Sequence, residues 1–271
     1  MPPLLVDSPL APSTGSLPVS PASAWPRTRS DRAQRALDLV VGTLVLVVAA
    51  PLIGLAMLAV KLTSRGPVIY SQSRLGRFGR PFTIYKIRSM THNCEKQSGV
   101  TWSKKGDTRV TRVGKILRKT HLDELPQLVN IVRGDMSLVG PRPERPEIVA
   151  TLEQVLANYT DRLAVRPGLT GLAQLQLPPD TDLESVRRKL SYDRHYVANG
   201  SLWMDLRLLV STAFHVFRLP FAVSRTLLGL PGEPEVEPER SAGPVDPNAD
   251  TAVQPVCPAT IREVSVNAAR A

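Results

Sequence analysis

The sequence has few cysteines, and this shortage argues against two kinds of site. Its 271 residues include two cysteines, Cys94 and Cys257, which lie far apart along the chain. Two such cysteines do not make a disulfide framework, and no CxxC spacing suggests a zinc site. We therefore expect a protein of a reducing compartment.

Acidic residues are scarce over most of the chain, which leaves a large positive charge. The chain carries 34 Lys and Arg against 24 Asp and Glu, a formal net charge of +10. Residues 231–271 hold seven acidic and three basic residues, so residues 1–230 carry +14. Such an excess favours an anionic partner: nucleic acid, an acidic membrane surface or a phosphorylated substrate. No recognised nucleic-acid-binding motif occurs, so we expect no nucleic-acid partner.

One stretch is long and apolar enough to cross a membrane. Residues 39–60, LVVGTLVLVVAAPLIGLAMLAV, contain no charged residue over 22 positions. Pro51 near the middle predicts a kink. Basic residues flank both ends, and such flanks tend to remain cytoplasmic; they are Arg27, Arg29, Arg32, Arg35, Lys61 and Arg65. A single spanning helix and a re-entrant helix that bends at Ala50 and Pro51 both remain open. Asp38, at the start of the run, is either functional or reaches the interface.

Composition divides the chain into an ordered middle and two tails. Residues 1–30 are rich in Pro, Ser and Ala, residues 231–271 alternate Pro and Glu near their start, and both are predicted to be disordered. No apolar stretch near the start resembles a signal peptide, so we expect none. The membrane helix is predicted within residues 31–65 and a folded domain within residues 66–230.

The predicted domain mixes strands and helices. Runs of β-favouring residues, PVIYSQSRLG and RPFTIYKIRS, lie between glycines and predict strands. Residues 109–120 predict a basic amphipathic helix, which lies either in a membrane interface or on an ordinary surface. Residues 201–220, with Trp203, predict a helix that is either packed in the core or interfacial. We expect a helix-rich mixed α/β fold.

Two adjacent carboxylates, Asp123 and Glu124, are the first candidates for chemistry. A capping role is the plain alternative, because Thr120 to Asp123 fits a loose capping box. Pro126 argues against that register and moves the predicted helix start to about Asp123. Capping explains one acid and leaves the second without a role. Two hard oxygen ligands suit Mg²⁺, which takes its remaining ligands from water and substrate phosphate.

Basic residues near this pair are candidates for binding phosphate. Arg142 lies between two prolines, which stiffen its backbone, and a fixed guanidinium can bind a phosphate through two nitrogens. Lys86 and Arg88 could add positive charge at a diphosphate. Each base alone is most simply a solvated surface residue, but together with the acids they suggest metal-assisted phosphoryl transfer. Gly168 and Gly171 either admit a nucleotide or sugar or simply form a turn.

Several long motifs, in order, make the sequence resemble the bacterial sugar transferases, the monotopic polyprenyl-phosphate phosphoglycosyl transferases, in their short form. The resemblance runs from about Arg35 to Leu209. The motifs that carry it are GPVIYSQSRLGRFGRPFTIYKIRSM (66–90), DTRVTRVGKILRKTHLDELPQLVNIVRGDMSLVGPRP (107–143), RPGLTGLAQ (166–174) and YDRHYVANGSLWMDL (192–206). Ile87 stands where the family usually has an aromatic residue, and His121 where serine is frequent.

The resemblance implies an activity and a topology. Such enzymes move a sugar-1-phosphate from a UDP-sugar to a polyprenyl phosphate and release UMP, which initiates exopolysaccharide, capsule, O-antigen or glycoprotein glycan synthesis. It also implies a re-entrant membrane helix broken at Ala50 and Pro51. The compact catalytic domain would rest on the cytoplasmic face of the inner membrane through interfacial amphipathic helices, in contact with membrane lipid. By analogy we expect a homodimer.

The resemblance also assigns roles to individual residues. Asp123 would be the nucleophile that forms a phosphosugar-aspartyl intermediate, and Glu124 would hold the Mg²⁺ cofactor with it. Lys86, Arg88 and Arg142 would bind substrate phosphate.

Two other functions compete with this one. A membrane-anchored basic protein that binds anionic lipid without catalysis explains the charge and the apolar run, but it leaves Asp123, Glu124 and Arg142 without a role. A glycosyltransferase that transfers sugar without its phosphate would release the nucleoside diphosphate instead.

Overall fold

The fold is described from a computed structural model, over residues 30–94, 106–180, 182–216, 219, 221–232 and 234. The predicted tails, residues 1–30 and 231–271, lie almost entirely outside these residues.

The long apolar run forms one helix, α1 (Asp31–Thr63), which is long and apolar enough to cross a membrane. Ser30 caps its start, since the Ser30 side chain accepts a hydrogen bond from the Ala33 N–H (3.4 Å). The helical assignment runs through Pro51. The break expected at Ala50 and Pro51 is therefore not an interruption of the helix, and the re-entrant path remains a prediction. A proline kink can leave the helix continuous, because only one backbone donor is lost.

The segments of α1 before and after Pro51 both pack on the folded domain. Gly42 is buried so closely that an added Cβ would lie 3.2 Å from Ile131 Cγ2. On the other side of the proline, Ala56 and Val60 are buried in an apolar cluster with Ile87 and Leu117, and Val113 packs against it. Large apolar side chains elsewhere on α1 are exposed, including Val40, Leu44, Val47, Val48, Leu55 and Leu62.

Polar side chains at the start of α1 fasten it to the domain. Arg35 donates to the carbonyl oxygens of Ile131 (2.5 Å) and Val132 (2.6 Å). Asp38 Oδ1 accepts from Ser137 Oγ (2.9 Å) and from the Leu138 N–H (2.8 Å), and Asp38 is 1% exposed. Neither interpretation of Asp38 from the sequence describes this contact, in which Asp38 ties the helix to a strand.

Two small sheets follow α1. Strands β1 (Ile69–Leu75) and β2 (Pro81–Ile87) form an antiparallel hairpin, paired from Ile69 with Ile87 to Leu75 with Pro81, as the β-favouring runs predict. Strands β3 (Ser137–Val139) and β4 (Gly168–Thr170) are parallel and pair Ser137 with Gly168 and Val139 with Thr170.

Backbone packing explains the glycines near β4. A Cβ on Gly168 would lie 2.0 Å from the Gly140 nitrogen, and a Cβ on Gly171 would lie 2.2 Å from the Gly140 carbonyl oxygen. A side chain at either position would collide with backbone that cannot move aside. Close backbone packing therefore requires glycine at both positions, although Gly168 lies in β4 and not in a turn. Binding of a nucleotide or sugar there stays a prediction.

The other elements are helices, which together with the strands confirm the helix-rich mixed fold. They are α2 (Arg112–Lys119), α3 (Gln127–Arg133), α4 (Pro146–Val155), α5 (Leu172–Gln176), α6 (Leu183–Asn199), α7 (Leu202–Val216) and α8 (Phe221–Leu228). The largest apolar core lies among β3, α3, α5, α6 and α7, and includes Leu128, Ile131, Met136, Leu172, Tyr196 and Leu208.

Helices α2 and α7 each have one packed face and one exposed face. On α2, Leu117 is buried while Ile116 is 63% exposed. On α7, Met204 and Leu208 are buried while Trp203 is 66% exposed. One face of α7 is thus packed in the core, as one of the two alternatives for this segment predicts. An interfacial position for its exposed face stays a prediction.

Candidate active site

The acidic pair lies in a tight turn between two helices. Asp123 and Glu124 belong to a 3₁₀ turn, Leu122–Glu124, which His121 begins in a left-handed conformation (φ 56°). Thr120 follows α2 as its C-cap, and its hydroxyl donates to the Ile116 carbonyl (2.8 Å), so Thr120 is not the N-cap that the capping-box alternative requires. The α-helix predicted to start at about Asp123 starts later, at Gln127, with Pro126 at its N-cap. Pro126 has no N–H, so it cannot donate the hydrogen bond that would continue an α-helix to the residues before it. A single 3₁₀ turn precedes it instead.

Glu124 joins cations from two other elements. Lys86 Nζ, from the end of β2, lies 2.8 Å from Glu124 Oε1. Arg142 Nη2, from the segment after β3, lies 2.5 Å from the same oxygen, and Arg142 Nη1 lies 3.3 Å from Oε2. Residues 86, 124 and 142 are far apart in sequence, and the hairpin, the 3₁₀ turn and the end of β3 bring them together.

The two carboxyl groups have different electrostatic environments. Burial alone would raise the pKa of Glu124, but the charges and hydrogen bonds of Arg142 and Lys86 outweigh it and hold that pKa well below its ordinary value. Burial and the neighbouring charge of Glu124 raise the pKa of Asp123, while Lys86 and Arg118 oppose the increase. Glu124 therefore stays ionised at neutral pH, whereas Asp123 is the more basic carboxylate.

Asp123 is the carboxyl group of the pair that has no fixed cation. It is 8% exposed, and among the described residues it forms no ion pair within 4 Å. A carboxylate oxygen that is not already bound to a guanidinium or ammonium is available to act as a nucleophile. Glu124, by contrast, uses its oxygens to hold two cations in place.

Arg88 lies apart from this group, at the end of α1. Its Nη2 donates to the Ser64 carbonyl oxygen (2.9 Å) and to Ser64 Oγ (2.7 Å), and Arg88 is 5% exposed. Gly66 lies against it with φ +109°, so that an added Cβ would lie 2.4 Å from Arg88 Nη1. The side chain thus links the residues that follow α1 to the end of β2. Phosphate binding by Arg88 remains a prediction, without the contact to Glu124 that Lys86 and Arg142 have.

Two further arginines lie near the site that the sequence did not identify as candidates, Arg118 and Arg74. The charge of Arg118 acts on Asp123, and Arg118 Nε donates to Ser89 Oγ (2.8 Å). Arg74 Nη1 donates to the Pro143 carbonyl oxygen (3.1 Å), next to Arg142. Arg118 could have been found, because it lies on the basic helix that ends just before the acidic pair. Arg74, in contrast, reaches the site only through the pairing of the hairpin.

Mg²⁺ binding by Asp123 and Glu124 stays a prediction, because the Glu124 oxygens already contact Lys86 and Arg142. The part of the chain that the structure describes contains no group of three or more His, Cys, Asp or Glu side chains placed to hold a metal. Two adjacent carboxylates are nevertheless sufficient for Mg²⁺, which usually keeps several waters and binds substrate phosphate. The depressed pKa of Glu124 keeps one of these ligands ionised.

A carboxylate without a fixed cation, beside a carboxylate that orders a lysine and an arginine, defines a class of site. Such a group can bind a multiply charged phosphate ester, spread its charge over cations and offer an oxygen nucleophile. The class is therefore that of enzymes that transfer phosphate-containing groups.

Comparison with known proteins gives the family. Residues 29–219 match the bacterial sugar transferase family, and the chain belongs to this family. It is 44% identical over 205 residues to the UDP-glucose:undecaprenyl-phosphate glucose-1-phosphate transferase of Caulobacter vibrioides, covering 75% of this chain and 76% of that protein. It is 41% identical over 184 residues to an exopolysaccharide production protein of Rhizobium leguminosarum, covering 66% of this chain and 92% of that protein.

A relative from Aeromonas hydrophila is longer. It is the UDP-N-acetylgalactosamine-undecaprenyl-phosphate N-acetylgalactosaminephosphotransferase, 40% identical over 198 residues, which cover 73% of this chain and 45% of that protein. The chain thus spans less than half of this relative and about three quarters of the Caulobacter protein.

Proposed function

We propose that this protein transfers a sugar-1-phosphate from a UDP-sugar to a polyprenyl phosphate and releases UMP. The observation that carries the proposal is the group of Asp123, Glu124, Lys86 and Arg142, in which one acid orders two cations and the other stays free. The named activities of the relatives support the same reaction: the Caulobacter and Aeromonas proteins are undecaprenyl-phosphate transferases of glucose 1-phosphate and N-acetylgalactosamine phosphate. The Rhizobium relative supports a role in exopolysaccharide production.

The reaction would proceed in two displacements at Asp123. In the first, an Asp123 carboxylate oxygen attacks the sugar-bearing phosphorus of the donor. The bond from that phosphorus to the bridging oxygen breaks, and UMP leaves with the electron pair. In the second, a phosphate oxygen of the polyprenyl phosphate attacks the same phosphorus, and Asp123 is released as the carboxylate. The raised pKa of Asp123 makes it a better nucleophile than an ordinary carboxylate, provided that the pH keeps it ionised.

Lys86 and Arg142 would bind the phosphate oxygens of the donor. Both are already held by Glu124 at 2.8 Å and 2.5 Å, so little side-chain order has to be gained when substrate arrives. Mg²⁺ held by Glu124 and Asp123 would supply further positive charge at the phosphates. Arg118 is close enough to act on Asp123 electrostatically and adds to the same positive field.

We also propose that α1 is re-entrant, with both ends on the cytoplasmic side of the inner membrane. Polar contacts before Pro51 and apolar contacts after it attach α1 to one catalytic domain. Basic residues flank both ends of the helix, as expected for ends that stay in the cytoplasm. The exposed apolar side chains between these attachments would lie in lipid.

The exposed apolar faces of α7 and α8 would rest in the membrane interface. They carry Trp203 and Leu206 on α7, and Val223 and Leu227 on α8. Tryptophan and leucine on one face of a helix suit the boundary between headgroups and acyl chains.

The proposal is tested by measuring the nucleotide that is released. Membrane fractions containing the chain would receive undecaprenyl phosphate, Mg²⁺ and UDP-glucose or UDP-N-acetylgalactosamine, and UMP and UDP would be quantified. We expect UMP that depends on the lipid and falls at least about 10³-fold in Asp123→Asn, as for the loss of other covalent nucleophiles. Asp135→Asn, at the opposite end of α3, is the matched control and should remain active.

The other outcomes identify the competing functions. Release of UDP instead of UMP would show a glycosyltransferase. Membrane binding without release of either nucleotide, from a panel of donors, would favour a protein that binds anionic lipid without catalysis.

A further inference from the structure

The segment that carries Arg142 is held at every backbone polar group. Residues 141–143 are Pro-Arg-Pro, so the only N–H among them belongs to Arg142. The Pro141 carbonyl accepts from the Gly168 N–H (2.8 Å), and the Pro143 carbonyl accepts from Arg74 Nη1 (3.1 Å). The two polar groups of Arg142 itself are bound by side chains.

Arg162 and Gln174 supply those two side-chain contacts. Arg162 Nη2 donates to the Arg142 carbonyl oxygen (2.9 Å). With the Gln174 amide oriented so that its nitrogen donates to the Leu169 carbonyl (2.9 Å), its oxygen accepts from the Arg142 N–H (3.2 Å). These residues come from elements after β3, and neither pairs with Glu124.

A buried cluster of charges keeps Arg162 in position. The Arg162 side chain is 3% exposed; it lies 2.8 Å from Asp193, and its Nη1 donates to the Tyr159 hydroxyl (2.7 Å). Glu144 lies 3.9 Å from Arg162, 2.8 Å from Lys189 and 3.5 Å from Arg74. Glu144 is also anchored through its carbonyl, which accepts from the Leu75 N–H (3.0 Å).

We propose that Arg162 and Gln174 are positioning residues for Arg142, and that the buried charges around Glu144 hold Arg162 for this purpose. Prolines fix the φ angles of the segment, but they cannot donate hydrogen bonds that would locate it. The guanidinium of Arg142 reaches Glu124 from this backbone, so displacement of the backbone would move the cation away from the phosphates. The inference rests on the proposed function, in which Arg142 binds substrate.

Gln174→Met is the sharpest test, because it keeps the size of the side chain and removes the acceptor for the Arg142 N–H. Gln176→Met is the matched control: Gln176 lies on the same short helix and donates to the Pro231 carbonyl (3.3 Å), away from Arg142. UMP release would be measured against the concentration of radiolabelled UDP-glucose. We expect kcat/KM to fall about tenfold in Gln174→Met, since small displacements of a positioned group are costly, and to stay within about twofold in Gln176→Met.

A double variant separates positioning from a general structural role. If Gln174 acts through Arg142, Gln174→Met should change the residual rate of Arg142→Ala by less than about twofold. An equal tenfold loss in both backgrounds, or no loss in either, would overturn the inference. Arg162→Lys, compared with Arg194→Lys, repeats the test from the other side of Arg142 with charge retained. The melting temperature of each variant would separate loss of fold from loss of position.

Failure of the inference is distinct from failure of the proposed function. A wild-type chain that releases UMP, together with an unaffected Gln174→Met, overturns the positioning role alone. A wild-type chain that releases no UMP with any UDP-sugar overturns the proposed function and this inference with it.

Discussion

Replacing Glu144 with glutamine should destabilise the protein and weaken the dependence of its stability on acid. Burial would raise the pKa of Glu144, but Lys189, Arg162 and Arg74 outweigh it, and its pKa falls from 4.5 to about 2. A difference of this size between the folded and unfolded chain corresponds to about 3 kcal/mol of folding free energy at neutral pH. Glu144→Gln removes this contribution and leaves three cations around a neutral group.

The sign of the pH effect follows from the lowered pKa. Because the folded pKa lies below the unfolded one, the stabilisation is fully present above about pH 4.5 and is lost as the pH falls towards 2. About 2 kcal/mol of it should already be lost at pH 3. The wild-type and variant curves of stability against pH should therefore converge in acid.

Thermal unfolding in detergent, followed at pH 7 and pH 3, measures both effects. We expect Glu144→Gln to lower the melting temperature by about 6–12 °C at pH 7, from about 2–4 °C per kcal/mol for a domain of this size. The difference from the wild type should be less than half as large at pH 3. Glu184→Gln, on α6 with a 62% exposed side chain, is the control and should shift the melting temperature little. A difference between Glu144→Gln and the wild type that is equal at both pH values would refute this account of the buried charges.

Three further predictions concern the acidic pair, the close packing at β4 and the attachment of α1. As the pH is lowered, UMP release by Glu124→Gln should decline at a lower pH than UMP release by the wild type, because the charge of Glu124 raises the pKa of Asp123. A pH–rate profile whose acidic limb does not move would contradict the role of Asp123 as the ionised nucleophile. Gly168→Ala should cost about 3 kcal/mol in denaturant unfolding, since its Cβ would lie 2.0 Å from the Gly140 nitrogen, whereas Gly54→Ala meets nothing within 4 Å and should be nearly neutral. Asp38→Leu should cost about 1–3 kcal/mol by leaving the Leu138 N–H without its acceptor, and limited proteolysis should then cut near α1 sooner than in Asp31→Leu, whose side chain is 55% exposed.

Local patterns in the sequence were sufficient for the elements that depend on neighbouring residues. The uncharged run predicts α1, and the β-favouring runs predict the hairpin, because these signals repeat within one turn or one strand. The predicted start of the α-helix, at about Asp123, was wrong by four residues, because the α-helix begins at Gln127. A 3₁₀ turn and an α-helix share most of their local preferences, so the pattern around Pro126 does not separate them.

Contacts between distant residues were beyond the reach of those patterns. Lys86 and Arg142 could be named as candidates, but their shared partner Glu124 depends on how β2, the 3₁₀ turn and the end of β3 meet. Arg88 lies two residues beyond Lys86, just after the end of β2, and its side chain binds Ser64 instead. No local sequence pattern predicts the charge cluster around Glu144, because its members come from four separate segments of the chain.

The sequence by itself therefore determined the membrane-length helix, the helix-rich mixed fold, the acidic pair and the family resemblance, since each is written in contiguous residues. Tertiary structure alone decided which cations face Glu124, why Asp123 and Glu124 differ in pKa, and which side chains hold Arg142. The physical reason is that charge interactions and burial depend on distances through space, and those distances exist only after the segments have packed together.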